Sequence, residues 1–342
     1  MTYHFGKTAY CTMGLQTNQG TAAATMTMGI PVTDAPSIKA EVTRTQLQEF
    51  RKSSAEATDF LVTSIGSSSG LNAPAYPAGP LENMIYGVMG TKVTAPVAAH
   101  FTHTFTAAQT LPYFTIYKGL DTLAVESFKD CQIGTLAFNM AADAQVTVDA
   151  TIMGTPTGIG TAQVTPTYTT ERAFSWTDAS VKVATVANCD VTAMDLTIDR
   201  GLKSVRTACL AATPLVDNMV YPTTTKVTGS IEMFFEDYTE YSYWLGASGA
   251  TAYSASASVA TTKRALEITL TGAQIDGTGP AYNKVVITIP QAVYSAADIS
   301  TPFDDRMKIK FSFDAYWDTT QTAGEEVLKI VCTSLLSSIT GS

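Results

Sequence analysis

The clearest match to a catalytic motif in this sequence is a serine flanked by glycines. Gly66-Ser67-Ser68-Ser69-Gly70 fits the G-x-S-x-G pattern, in which Ser68 would be the nucleophile. That motif works at a sharp turn from a strand into a helix, whereas the chain continues here as Leu71-Asn72-Ala73-Pro74 with two further prolines. Because such a continuation does not begin a helix, the sequence favours a flexible serine turn and predicts no catalytic residue here.

Metal ligands are scarce and badly spaced. His100 and His103 are the only histidines besides His4, and positions i and i+3 of a strand point to opposite faces. No C-x-x-C pair occurs among the five scattered cysteines. We therefore expect no metal site, few general bases near neutral pH, and reduced, mostly buried thiols. The cysteines are Cys11, Cys131, Cys189, Cys209 and Cys332.

Carboxylate pairs and aromatic residues are the remaining candidates for chemistry. Asp304-Asp305 and Glu236-Asp237 lie at predicted strand ends or at a helix start, where acidic side chains are favoured as caps. The aromatic run from Tyr238 to Trp244 has no accompanying Arg or Lys, so a core or an interface is favoured over base stacking. No phosphate loop, dinucleotide fingerprint or calcium loop occurs. The sequence predicts a protein that is not an enzyme and needs no cofactor.

Composition and charge restrict the function further. The 342 residues are 45% hydrophobic and 15% charged, with a formal net charge of −9. That charge argues against gripping a phosphate backbone but not against letting DNA pass. No run of about 18 apolar residues occurs, and Met1-Thr2-Tyr3-His4 does not begin a secretion signal. We expect synthesis in a cytoplasm without export and no membrane insertion.

Alternation of apolar and polar residues recurs along the chain and predicts strands. It is clearest at 190–199, 227–236 and 307–314, where bulky residues mark one face and polar residues the other. Such half-buried strands are typical of an antiparallel sheet with one solvated face. The sequence therefore predicts an all-β fold.

Two segments read as short helices and suggest an internal repeat. Leu81–Met89 ends at Gly90 and Asp237–Leu245 ends at Gly246, each glycine being suited to a left-handed C-cap. At an offset near the spacing of these glycines, the strand at 58–65 aligns with 227–235. Near the same offset, Thr21–Val32 aligns with Asp190–Asp199, Asp130–Met140 with Lys284–Val293, and Val146–Met153 with Met307–Asp314.

These alignments predict a tandem duplication, with a first domain at 1–165 and a second at 166–342. The join is expected between Thr155 and Ser180, which begins with a run rich in Thr, Gly and Pro. A shorter offset pairs Asp130-Cys131-Gln132-Ile133 with Asn188-Cys189-Asp190-Val191. It ignores the helices and ranks second.

Several turn and strand segments together resemble one family of structural proteins. They are Gly14–Ala22, Tyr86–Gly90 followed by His100–Phe105 and Leu111–Ile116, Phe128–Ile133, and Lys226–Trp244. These segments resemble the corresponding parts of tail tube proteins, the major tail proteins of long-tailed, siphovirus-type bacteriophages. The resemblance covers most of the chain.

The resemblance implies two tandem β-sandwich or barrel tube domains, each with one short helix. It further implies a virion protein whose subunits close into rings, and rings that stack helically into a hollow tube through which genomic DNA is ejected. A duplicated domain implies a homotrimeric ring with pseudo-sixfold symmetry. The implied partners are other copies of the chain, the tape-measure, tail terminator and distal tail proteins, and double-stranded DNA in transit only.

Two sets of residues are the candidates for these roles. Carboxylates on polar strand faces would line the lumen, although Lys308 and Lys310 share a face with one of them and could turn that strand outward. A long loop at about 48–80, broken only by the strand at 58–65, would contact neighbouring subunits. The lumen candidates are Asp149, Asp195, Glu232 and Asp314, and the loop candidates are Ser67, Ser68, Tyr76 and Pro77.

Two other classes of protein share these features. A capsid decoration or tail-spike-like protein has a similar β-rich, Thr-rich composition, but it would trimerise without stacking. A carbohydrate-binding or hydrolytic β-sandwich would need aromatic and carboxylate side chains that converge in a cleft.

Overall fold

The computed structural model describes residues 8–33, 37–47, 59–97, 100–205, 219–275 and 281–337. Strands dominate these residues, and sixteen of them join in one large antiparallel sheet. The predicted all-β class is confirmed. The strands are β1 Tyr10–Leu15, β2 Ala40–Leu47, β3 Asp59–Pro74, β4 Gly90–Val97, β5 His100–Ala107, β6 Phe114–Leu120, β7 Ala124–Ala141, β8 Thr147–Gly160, β9 Ala179–Val183, β10 Val186–Asn188, β11 Val191–Asp199, β12 Lys203–Val205, β13 Met219–Tyr221, β14 Lys226–Phe234, β15 Arg264–Gln274, β16 Tyr282–Ser300, β17 Lys308–Ala315 and β18 Lys329–Ser334.

The helices are short: α1 Pro80–Met89, α2 Thr239–Leu245 and the single turn α3 Val259–Thr262. The predicted helix ends are confirmed. Gly90 is left-handed at φ 92° and donates its N–H to the carbonyl of Tyr86. Gly246, at φ 140°, ends α2. Helix α2 begins two residues later than predicted because the Asp237 carboxylate accepts the Thr239 N–H at 2.8 Å, outside the helix.

The sheet follows the same path twice. In the first half of the chain its order is β1-β6-β7-β8-β3-β2, and in the second half it is β9-β15-β16-β17-β14-β11. Members of the two paths also occur in the same chain order. Helix α1 packs on β7 and α2 packs on β16. The halves differ after the helix, since the β4–β5 hairpin follows α1 whereas α3 follows α2.

Two ladders join the halves. Strand β11 of the second half pairs with β7 of the first, from Ala193 opposite Ala141 to Asp199 opposite Thr135. Strand β18, near the end of the chain, pairs with β5 over Lys329–Ser334. One sheet therefore runs continuously from the first half into the second.

The core lies under the apolar face of this sheet, as the alternation predicts. In β11, Met194, Leu196 and Ile198 are buried in one continuous cluster with residues of both halves. Val191 is buried as well, although it was predicted on the polar face, because a bulge between Val191 and Ala193 shifts the alternation. Met307, predicted on the apolar face, is exposed because β17 begins only at Lys308.

The predicted long loop is wrong over 66–74, where the structure has a strand, whereas 75–79 is irregular as predicted. Strand β3 runs from Asp59 to Pro74, and its residues Ser67–Pro74 pair with Gly154–Thr147 of β8. The serines and glycines add to the ladder through their backbone, which needs no bulky side chain. Pro74 is tolerated because it is the last residue of the strand. Residues 48–58 of the predicted loop lie outside the described residues.

Candidate functional site

The four predicted lumen carboxylates lie on one face of the sheet. Residues directly opposite each other on neighbouring strands point to the same side. One row of opposed residues crosses five strands from Asp149 to Asp314, through Ala137, Thr197 and Thr228. Asp195 lies in the next row, opposite Asn139 and Ser230, and Glu232 in the row after that. We call this surface, the side of β8, β7, β11, β14 and β17 opposite the core, the polar face.

Neutral groups hold the two aspartates of strands β8 and β11. Asp149 accepts hydrogen bonds from the side-chain amides of Asn72 and Asn139, the latter at 2.7 Å. Asp195 accepts one from the Ser230 hydroxyl at 3.0 Å. Amides and hydroxyls orient a carboxylate without neutralising it, so both groups present negative charge to whatever faces the sheet.

Lysines share the polar face at β17. Lys308 Nζ lies 3.5 Å from Glu232 Oε1, and Lys310 is directly opposite Glu232 on the neighbouring strand. Asp298 of β16, which the sequence analysis did not single out, is opposite Lys310 on its other side. The charge of this part of the face is therefore mixed, whereas Asp149 and Asp195 lie among neutral residues.

The four predicted loop residues are buried or half-buried, not exposed. Ser67 is buried in β3, and the Ser68 hydroxyl donates to the Glu41 carboxylate at 2.9 Å across the β2–β3 ladder. Between β3 and α1, Tyr76 is half-buried and Pro77 is buried. Both serines belong to a strand, so the prediction that they lie in a loop is wrong.

Exposed apolar residues lie instead on β2 and on the first part of β3. We call Ala40–Leu47 with 59–66 the β2–β3 arm. Val42 is 41% exposed, and Phe60 and Leu61 are more than half exposed, with Arg44 over the Phe60 ring at 5.4 Å. The alternation of Val42 and Arg44 with threonines could have revealed β2, but the sequence analysis overlooked it. Apolar side chains this exposed favour a contact with another chain.

The catalytic and metal candidates are not arranged as sites in the described residues. Ser68 lies within a strand, and α1 begins only at Pro80, so the strand-to-helix turn of a nucleophile elbow does not form. In the described parts of the chain, no group of three His, Cys, Asp or Glu side chains is placed to hold a metal ion. Cys11, Cys131 and Cys332 are buried and Cys189 is exposed, while Cys209 lies outside the described residues. Burial raises the pKa of the Cys11 thiol to about 12.

A buried titratable cluster joins the two halves beside α1. Glu82 is 1% exposed, and its Oε2 lies 4.0 Å from His103 Nε2, which also lies 2.9 Å from the Leu336 carbonyl oxygen beyond β18. Burial raises the pKa of Glu82 to about 7, against the opposing effects of Ser334 and Lys92. Burial also lowers the pKa of His103. No sequence pattern points to this cluster, because its members come from α1, β5 and the last described residues.

Comparison with known families decides what the polar-faced sheet belongs to. The model of the family described as phage tail tube protein matches residues 6–324. The chain belongs to the phage tail tube protein family. The resemblance stated from the sequence is thus confirmed, and the protein has a structural role in the tail of the virion.

No curated protein sequence matches the chain. Among the described residues, no helix is long and apolar enough to cross a membrane.

Proposed function

We propose that this tail tube protein closes into rings that stack into a hollow tube, with the polar face toward the lumen through which genomic DNA is ejected. The observation that carries the proposal is the continuity of the polar face across both halves of the chain. An antiparallel sheet of this kind has one solvated side and one packed side. Closing it around an axis gives a bore lined with polar groups and an apolar layer outside it.

The charge of the face suits DNA that must move. Each phosphate neutralised by Lys or Arg releases counterions and adds affinity, which would slow transit. Asp149 and Asp195 are held by neutral partners, so they would repel phosphates rather than bind them. The lysines at β17 are opposed by Glu232 and Asp298, which limits their attraction for DNA.

We further infer that the ring is a homotrimer with pseudo-sixfold symmetry, built from duplicated domains at 1–165 and 166–342. The repeated strand path supports this inference. One predicted equivalence is corrected. Thr21–Val32 contributes isolated bridges, and the segment that takes the place of β11 is instead the one that runs beside β3 into β2. Strand β8 ends at Gly160 and β9 begins at Ala179, within the expected join.

The partners of the tube follow from this role. Tape-measure protein and DNA would contact the polar face, and tail terminator and distal tail proteins would contact the end rings. The β2–β3 arm, with Phe60 and Leu61 exposed, is better suited to contact neighbouring subunits than Ser67, Ser68 or Pro77, while Tyr76 stays a candidate. Synthesis in the host cytoplasm, without membrane insertion, precedes assembly.

Negative-stain electron microscopy of the purified protein over a concentration series tests the proposal. We expect stacked rings or tubes of uniform bore with three subunits per ring. Monomers or single trimers at every concentration would contradict it and favour a decoration protein instead.

The orientation of the polar face needs a separate measurement. In assembled tubes, D149K with D195K should increase retention of double-stranded DNA and make it salt-dependent. The matched control is D304K with D305K, which makes the same charge change in the exposed segment after β16. Equal retention by both double variants would show that the polar face does not line the bore.

A further inference from the structure

The same strand edge is covered in the first half of the chain and open in the second. Strand β7 pairs with β8 on one side and, over Thr135–Ala141, with β11 on the other. The corresponding strand β16 pairs with β17 on one side, while its ladder with β15 ends at Ala292. Among the described residues, no strand pairs with the other side of 296–300.

The register of the neighbouring strands fixes which residues correspond. In the first half, Thr147 of β8 is opposite both Asn139 of β7 and Pro74 of β3. In the second half, Lys308 of β17 is opposite both Ser300 of β16 and Phe234 of β14. Since Pro74 and Phe234 each precede the helix of their half, Asn139 corresponds to Ser300, and Ala137 corresponds to Asp298.

Burial shows what the missing strand would cover. Leu136 and Phe138, beneath the β11·β7 ladder, are both 0% exposed. Their counterparts in β16, Ala297 and Ile299, are only half-buried. An open edge with incompletely buried apolar residues is a template for pairing with another strand.

The first half carries the strand that corresponds to β11. Its residues run beside β3, where Ala40 is opposite Ser67 and the Ser37 hydroxyl donates to the Gly70 carbonyl at 2.8 Å. Ile38 is 0% exposed there, in the place that Leu196 takes in β11. This segment lies at one end of the strand order and so cannot reach β16 of its own chain without crossing the sheet.

We propose that residues 37–41 of one subunit pair antiparallel with residues 296–300 of the next, repeating the β11·β7 ladder between chains. This inference rests on the proposed ring. Transferring the register of β11·β7, in which Thr197 is opposite Ala137, places Lys39 directly opposite Asp298 of the neighbouring copy. Both side chains are exposed in the single subunit. A neutral pair within the chain is thus replaced by a complementary charged pair between chains, which favours a second copy as the occupant.

Disulfide trapping tests the register. Lys39→Cys and Asp298→Cys are combined in a C189S, C209S background, assembled, and oxidised with copper phenanthroline. Directly opposed residues lie about 5 Å apart at Cβ, whereas diagonal ones lie about 7–8 Å apart. We expect covalent dimers and trimers on a non-reducing gel, and at least fivefold less from the control K39C with S300C, which shifts one cysteine by two residues.

Charge reversal tests the pair without a crosslink. K39D or D298K should each raise the protein concentration needed for assembly about tenfold, and the double variant should restore it. The control K263D reverses an exposed lysine outside the ladder and should assemble normally. Circular dichroism of each variant at low concentration checks that the subunit is folded.

The outcomes separate the two proposals. Tubes that form normally but give no trapping at Lys39 and Asp298, and no rescue by the double variant, would overturn the inference and leave the tube function intact. A parent protein that forms neither rings nor tubes would overturn the proposed function and this contact with it.

Discussion

The two short helices of this protein lie in different surroundings, although its halves share one strand path. Each helix follows the corresponding strand of its half, β3 or β14, and carries one glutamate in its first turn, Glu82 in α1 and Glu240 in α2. Glu82 is buried against His103 and residues at the end of the chain. Glu240 is paired with Arg264 and accepts a hydrogen bond from the Tyr294 hydroxyl at 3.0 Å.

The difference follows from what lies beside each helix. The β4–β5 hairpin after α1 extends to β18 of the second half, so α1 is enclosed between the halves. Helix α2 has the turn α3 and aromatic residues beside it instead, with the Trp244 ring tilted against Tyr241 and in edge contact with Tyr253. The shared strand path therefore builds the sheet, and the segments that differ determine which surfaces are enclosed and which stay available to other chains.

Truncation of one buried phenylalanine in each half gives the largest expected effect. Phe138 in the first half and Phe311 in the second are both 0% exposed and belong to one cluster. F138A and F311A should each lower the free energy of unfolding by about 3–5 kcal/mol. Because two ladders join the halves, we expect urea unfolding in one transition that both variants shift. Two transitions, each moved by one variant, would show that the halves are independent.

The buried glutamate of α1 makes stability depend on pH. Its pKa is about 7 in the folded protein, above the ordinary 4.5. Between those values the unfolded chain releases a proton that the folded chain keeps, so the free energy of unfolding falls as pH rises through this window. E82Q removes this titration, and its stability relative to the parent should rise by about 3 kcal/mol between pH 4.5 and pH 7.5.

Urea unfolding of both proteins across this pH range measures the difference. His103 and Lys92, whose pKa values burial lowers, remain in both proteins, so their own pH dependence largely cancels. E240Q, which makes the same change in the first turn of α2, is measured in parallel as a control for the loss of a glutamate charge. A parallel pH dependence of the parent and E82Q would contradict the assignment.

Much of this fold could be predicted from local patterns, but the contacts between halves could not. Alternation located β11, β14 and β17, and the two glycines located both helix ends. The extension of β3 through Ser67–Pro74 was missed because it depends on a partner strand far along the chain, not on side-chain propensity. The lumen candidates were chosen by alternation alone, which assigns a face to each strand. That these residues share one face of the sheet could be established only from the register of the strand pairs.

Two strand glycines, Gly229 in β14 and Gly70 in β3, differ in how closely other atoms approach them. A Cβ added at Gly229 would lie 2.2 Å from the Asp195 carbonyl oxygen and 2.6 Å from the Phe313 ring. At Gly70 of β3 the nearest atom would be 3.6 Å away. G229A should therefore lower the free energy of unfolding by about 2 kcal/mol, whereas G70A should change it little. Equal effects in thermal unfolding would show that the sheet tolerates the extra methyl group at both sites.

The hydroxyl of Tyr294 gives the smallest effect and tests the helix comparison most directly. Tyr294 is 5% exposed, its ring stacks on Phe311 at 4.4 Å between centroids, and its hydroxyl donates a hydrogen bond to the Glu240 carboxylate. Y294F keeps the ring and removes one hydrogen bond to a charged acceptor, so stability should fall by about 1–2 kcal/mol. In an E240Q background the same change should cost about half as much, because the acceptor is no longer charged. An undiminished cost in that double-mutant cycle would mean that the Tyr294 hydroxyl stabilises the protein independently of the charge of Glu240, and that α2 is held to the sheet by Arg264.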